Sequence, residues 1–168
     1  MHFDGYLDDS APLFAGELDQ ITMHGVDVGD VWLIDRASGT LLVTDAVFLV
    51  KSTPEDAAYR SPFFEFYVWA WGVSGRVGLP SYQPVTWHDV RAYQASIERA
   101  LEHEFMHAGS CHGAWHELTG NAKSELRESL RWLLDLGRLD ALGYVGDFVR
   151  RHPGIFLRLL REQLAARK

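Results

Sequence analysis

Thr40-Leu41-Leu42-Val43-Thr44-Asp45-Ala46-Val47-Phe48-Leu49-Val50 reads as a buried β-segment broken by a single carboxylate. Aliphatic and β-branched residues fill both alternating faces, as in a strand covered on two sides. A carboxylate buried in such a run is costly. It needs a hydrogen-bond partner, a cation or a metal, or a place at the strand's open end. Asp45 is therefore the first candidate for chemistry in this chain.

Upstream, Leu18 to Met23 and Val31-Trp32-Leu33-Ile34-Asp35 are further apolar-rich runs, and Arg36-Ala37-Ser38-Gly39 is a turn. Together with Leu41 to Val50 they predict a β-hairpin lying inside a layered fold. Residues 1–19 form a polar, acidic entry segment. Downstream, Thr53-Pro54 followed by Asp56 reads as a helix start. Six aromatics crowd positions 63–71, a density expected of core or interface rather than of a ligand platform. Gly72, Gly75, Gly78 and Pro80 then open a loop. Thr86 is the expected cap of a helix from Trp87 to about Glu102, with Val90, Tyr93, Ile97 and Leu101 on one face. Asn121 caps a helix through Leu136 that carries Leu126, Leu130, Leu133 and Leu134, ended by Gly137. Leu139 to Arg151 and, after Pro153, Ile155 to Ala166 extend the helical pattern.

A chain of 168 residues is read as one domain, able to bury about 70% of its unfolded surface. A net charge of −7 argues against a nucleic-acid binder. Residues 148–168 carry six bases and one acid, which reads as a solvated helix face. Cys111 is the sole cysteine, so no internal disulfide is expected and a reducing compartment fits; Cys111 itself is expected to be a small buried hydrophobe. Neither a signal peptide nor a run of about 18 apolar residues is present, so the expectation is a cytoplasmic protein without membrane contact.

Eight histidines are many for this length, and His103, His107, His112 and His116 lie close in sequence. Two metal constellations pass through them. His103-Glu104-Phe105-Met106-His107 fits H-E-x-x-H, which on a helix aims two imidazoles from one face at a zinc ion with the glutamate as base. It resembles the motif of zincin metallopeptidases, although Ser110 and Gly113 stand where the metzincin branch has its glycine and third histidine. In the second constellation the helix ends near His103, Phe105 to Gly109 is a short strand, and Ser110-Cys111-His112-Gly113 is the turn at its carboxyl end. Asp45 then closes the neighbouring β-segment in the same way, at the strand ends where layered α/β folds hold ligands.

Gly39-Thr40-Leu41-Leu42-Val43-Thr44-Asp45-Ala46-Val47-Phe48, then a helix, a strand, Ser110-Cys111-His112-Gly113 and a further helix resemble the C-terminal half of metallo-β-lactamase-fold hydrolases. The likeness covers about residues 12–136, with 139–168 as a C-terminal helical extension. It implies an α/β (α+β) fold, half of an αββα sandwich: a mixed sheet with helices on one face. It implies Asp45 as metal-bridging carboxylate, His112 as final histidine ligand, and His24 in Met23-His24-Gly25 as a third ligand. The family's H-x-H-x-D-H cradle does not occur here, so the resemblance implies at most one zinc ion and a reduced metallo-hydrolase site. The alternatives are a non-catalytic dimerisation or partner-binding module derived from the same fold, and the zincin-like peptidase. Half a sandwich leaves an apolar sheet face to cover, since Trp32, Ile34, Leu42 and Phe48 cannot all lie under helices on one side. A homodimer through that face or the aromatic 63–71 segment, or pairing with a separate N-terminal half, is therefore expected, the alternative cover being the C-terminal segment 139–166 folding back.

Overall fold

The computed structural model describes residues 16–50, 61–112 and 122–136, together with Phe14 and isolated positions between 143 and 157. Strands β1 (Leu18–Thr22), β2 (Val31–Asp35) and β3 (Thr40–Val43) form an antiparallel meander, and β6 (His107–Ser110) joins it parallel to β3. β4 (Phe48–Val50) and β5 (Arg76–Gly78) make a small antiparallel sheet of their own. Three helices accompany them among the described residues: α1 (Pro62–Ala70), α2 (Val90–Glu102) and α3 (Ala122–Leu134). The architecture is mixed α/β, as the sequence predicts.

The β2–β3 hairpin closes through Asp35, whose carboxylate accepts from Ala37 N at 3.1 Å and Ser38 Oγ at 2.5 Å; Gly39 supplies the left-handed residue at φ 62°. Alternation along the strands puts Ile21, Trp32, Ile34, Leu41 and Val43 on one face with Ala108. That face is buried against Tyr93, Ile97, Ala100 and Leu101 of α2 and Ala122, Leu126, Leu130 and Leu133 of α3. Each large side chain so buried stabilises the fold by about 1.5–3 kcal/mol. The other face carries Leu18, Val31, Leu33 and Leu42, all half-buried. Trp32 and Ile34 thus lie under the helices, Leu42 does not, and Phe48 belongs to a second cluster with Val68 and Val73.

Two expectations change. The segment 41–50 is not one strand: β3 stops at Val43, the chain turns through Asp45-Ala46, and β4 joins the other sheet. The cause is Asp30, whose carboxylate is nearly inaccessible at 3% exposure. It accepts from Trp32 Nε1 at 3.2 Å, from Ala46 N at 3.0 Å and from the Thr44 hydroxyl. These bonds pull the chain out of the sheet two residues before Ala46. Helix α2 also starts later than expected. Asp89, not Thr86, is its N-cap, accepting from Arg91 N at 3.0 Å and Ala92 N at 3.1 Å, while Thr86 ends a 3₁₀ turn over Gln83–Thr86.

The entry segment up to residue 13, the Thr53-Pro54 helix start, Gly113, the Asn121 cap and the Gly137 terminator lie outside the described residues. So does most of the 139–168 extension; its described positions, among them Val149, Arg150 and Leu157, are helical.

Burial holds the Asp30 carboxyl above its ordinary 3.8, with the Asp45 charge adding to the effect. The folded chain therefore takes up a proton at a pH where the unfolded chain does not. Asp30's contribution to stability grows as pH falls through the raised folded-state value toward 3.8 and is lost as pH rises again. Asp30→Asn can still accept from Trp32 and Ala46 while donating to Thr44. It is expected to fold and to remove this pH-dependent increment in chemical denaturation. Asp30→Ala orphans two buried N–H donors and is expected to cost about 2–4 kcal/mol.

Candidate metal centre

β3 and β6 run side by side in the same direction, Leu41 opposite Ala108 and Val43 opposite Ser110. Two residues past that last pair stand Asp45 and His112, each on the turn that leaves its strand. Parallel pairing alone thus brings residues 67 apart in sequence to one rim. His112 Nε2 lies 2.6 Å from Asp45 Oδ1, and Cys111 Sγ lies 3.8 Å from the same oxygen. One donor atom from each of Asp45, Cys111 and His112 falls within 4.8 Å of the others, the group of this kind found among the described residues.

The surroundings hold both turns in place. Ser110 Oγ donates to Val47 O at 2.6 Å and accepts from His112 N at 3.1 Å. Leu49 N donates to His112 O at 3.2 Å, and Cys111 N donates to Val43 O at 3.3 Å. Gln83 Nε2, on a fully buried side chain, donates to Asp45 O at 3.1 Å. Phe48 stacks on the His112 ring with centroids 4.3 Å apart and planes at 23°. The backbone is therefore buttoned down, while the Asp45 and Cys111 side chains are exposed and that of His112 is half-buried. The Asp45 side chain is 57% exposed and that of His112 31%.

Asp45 takes the last of the options open to a carboxylate in an apolar run: it sits at the strand's open end. The buried acid is Asp30 instead. Cys111, expected inside, is exposed and belongs to the group. Partial desolvation, then the Asp45 charge and hydrogen bond, push its thiol above the usual range.

The donor set is one carboxylate oxygen, one imidazole nitrogen and one thiol sulfur, a mixture that suits zinc or a neighbouring divalent metal. Bonds of about 2.0–2.3 Å in a tetrahedral site put ligand atoms about 3.3–3.8 Å apart. The sulfur-to-oxygen separation already meets this. The Asp45–His112 pair has to open by less than about 1 Å, within reach of a small rotation of the exposed Asp45 side chain. Asp45, Cys111 and His112 are thus a candidate donor set for a single ion.

The other histidines lie elsewhere. β1 runs parallel to β3, so His24, in the turn after β1, is on the same rim as Asp45. β2 lies between them, however, and two strand spacings amount to about 9–10 Å. The His24 backbone N–H donates to Ser96 Oγ of α2 at 3.0 Å, and His24 is outside the Asp45 group. The H-E-x-x-H segment is not a helix. α2 ends at Glu102, His103 is its C-cap in extended backbone with Nδ1 3.2 Å from Asp19 Oδ2, and His107 opens β6 opposite Thr40. The one-face projection on which a zincin motif depends is therefore missing: the cap at His103 and the β3 pairing win over helical continuation.

Sequence reading missed the rings beside the group. Phe48, Tyr67, Trp71 and Tyr82 come together from β4, α1 and the loop before the 3₁₀ turn; the only hint was the density of aromatics at 63–71. Comparison with protein-family models, curated proteins and solved structures finds no match to this chain. Among the described residues, no helix is long and apolar enough to cross a membrane.

Because Asp45 is exposed and His112 only half-buried, their pair contributes about 0–1 kcal/mol. Asp45→Asn is expected to shift the thermal midpoint by no more than a few degrees. A large drop would make Asp45 a structural residue.

Proposed function

We propose that the chain is a metallo-hydrolase-like protein with a reduced, single-metal site at Asp45, Cys111 and His112, on a frame resembling half of a metallo-β-lactamase sandwich. The observation that carries this reading is the meeting of three different donor atoms within 4.8 Å at the carboxyl ends of two parallel strands. The Gly39–Phe48 segment, the strand-end Ser110-Cys111-His112 turn and the helices on one sheet face support the family likeness. Cys111 replaces His24 as third ligand in this reading. Zinc, when bound, supplies Lewis acidity and a water of lowered pKa. The chain's own part is to present the donors from two rigid strand ends on an open rim. Ser110, Gln83 and the Phe48 ring tie the two turns in place.

Metal titration tests it. Purified chain is expected to bind one Zn²⁺ or Co²⁺, and Co²⁺ loading should give a thiolate-to-cobalt charge-transfer band that Cys111→Ser abolishes. Asp45→Asn and His112→Ala should each weaken binding at least as much as loss of a supporting partner does, about 10–100-fold. His24→Ala and His103→Ala should leave it unchanged. Binding that survives Asp45→Asn and Cys111→Ser overturns the site.

A second reading, a module that pairs with a further copy of itself, is favoured by the outer face of α1. Phe63, Phe66 and Trp69 recur three apart and are 77%, 63% and 68% exposed. The stripe itself is uncharged, so two acidic chains can meet there without opposing like charges. Sedimentation equilibrium is expected to show a dimer that Phe66→Glu dissociates; a wild-type monomer removes this reading.

A further inference from the structure

The carbonyl of Asp45 and the N–H of Ala46 belong to one planar peptide unit. Two side chains from distant parts of the chain hold that unit from its opposite edges. Asp30 Oδ2 accepts from Ala46 N at 3.0 Å, and Gln83 Nε2 donates to Asp45 O at 3.1 Å. Both side chains lie inside the protein: Asp30 is 3% exposed and Gln83 0%. The Asp30 carboxylate also takes the Thr44 hydroxyl, on the other side of Asp45. The Cα–Cβ bond of Asp45 therefore has a set direction, and what remains to the carboxylate is rotation about its own side-chain torsions.

The two arms of this clamp are themselves joined. Gln83 opens the 3₁₀ turn, where its N–H donates to Pro80 O at 3.0 Å and its O accepts from the Thr86 hydroxyl at 2.8 Å. Thr86 O accepts from Asp27 N at 2.9 Å, and Val26 bridges to Trp87. The turn is thus fastened to the loop between β1 and β2 that carries Asp30. Folding alone gives little reason for an amide at position 83. Gln83 Oε1 is buried without a hydrogen-bond partner among the described residues, so half of the amide is desolvated and uncompensated. An apolar side chain of the same length would leave no oxygen orphaned. A half-satisfied polar group in a core, its one side-chain bond directed at a candidate metal ligand, marks a position kept for a site rather than for stability.

Resting on the metal reading above, we propose that Gln83 is a positioning residue for the metal group: with Asp30 it fixes the Asp45–Ala46 peptide, so that the Asp45 carboxylate is held beside His112 and Cys111 before an ion arrives. Preorganisation of this kind removes ordering cost from binding. Gln83 therefore raises metal affinity, while its orphaned oxygen lowers the stability of the metal-free fold.

The test compares the unsubstituted chain with Gln83→Met, which keeps the length of the side chain and removes the donor. Co²⁺ titration and urea unfolding of the metal-free protein are the two readouts. Gln83→Met is expected to weaken Co²⁺ binding about tenfold and to leave the urea midpoint unchanged or higher. At saturating Co²⁺ the Cys111 thiolate band should persist, because only Asp45 has lost a support. In an Asp45→Asn chain the same substitution should weaken binding no further, since Gln83 acts through that carboxylate. Gln83→Leu, a second donor-free replacement, should reproduce both changes. Unchanged Co²⁺ affinity in the two replacements, an equal loss with and without the Asp45 carboxylate, or a lower urea midpoint in both overturns Gln83 as a positioning residue with the metal site intact. Absence of Co²⁺ binding by the unsubstituted chain overturns the metal reading itself.

Discussion

The Asp30 carboxylate, buried between the start of β2 and the turn after β3, is the constraint from which the site follows. Its oxygens satisfy the Trp32 indole, the Ala46 amide and the Thr44 hydroxyl. Without an acceptor there, the buried Ala46 N–H has no reason to leave the sheet, and the apolar run from Leu41 to Val50 has the composition to continue as one strand. With it, β3 stops at Val43, the chain turns, and Asp45 is carried outward. A buried charge is costly to keep, and the raised pKa of Asp30 expresses that cost. What it maintains is a turn of fixed shape at the edge where β6 docks.

The rest of the site is a consequence of parallel pairing. β6 adds to β3 in a register that puts Val43 opposite Ser110, so the next residues of both strands emerge side by side. Ser110 then bonds across to Val47, and Leu49 bonds to His112 O, tying the small β4–β5 sheet to the same rim. Hydrogen-bonded backbone under partly exposed donors is the arrangement expected of a ligand position built on element ends rather than inside the core. The aromatic series from Phe48 to Tyr82 flanks that position and gives it an apolar side.

Several features were open to reading from residues alone because short-range physics dictates them. The β2–β3 hairpin is written in Asp35 to Gly39, where an Asx turn and one left-handed glycine leave little choice. α2 and α3 follow from apolar spacing on one face, and the end of α2 before the Phe105–Gly109 stretch follows from the change in pattern there. Asp45 and His112 at strand ends were legible for the same reason: each follows an extended run and precedes a break. The ends of elements were harder. Thr86 and Asp89 are both competent caps three residues apart, and the choice of Asp89 rests on Trp87 being held in a bridge to Val26.

Composition, patterning and turn chemistry in this chain define a mixed α/β domain with an acid and an imidazole closing two β-segments. They do not say which acid is buried. Asp30 and Asp45 both adjoin apolar strands, and the distinction depends on where the Trp32 indole and the Thr44 and Ala46 groups converge, a meeting of residues far apart along the chain. The same holds for Cys111 joining the donor group while His24 stays a strand away, and for the meeting of the Tyr67, Trp71 and Tyr82 rings. Local sequence sets what each segment prefers to be; strand order and sheet register set which side chains share a space, and the chemistry of a site is a property of that shared space.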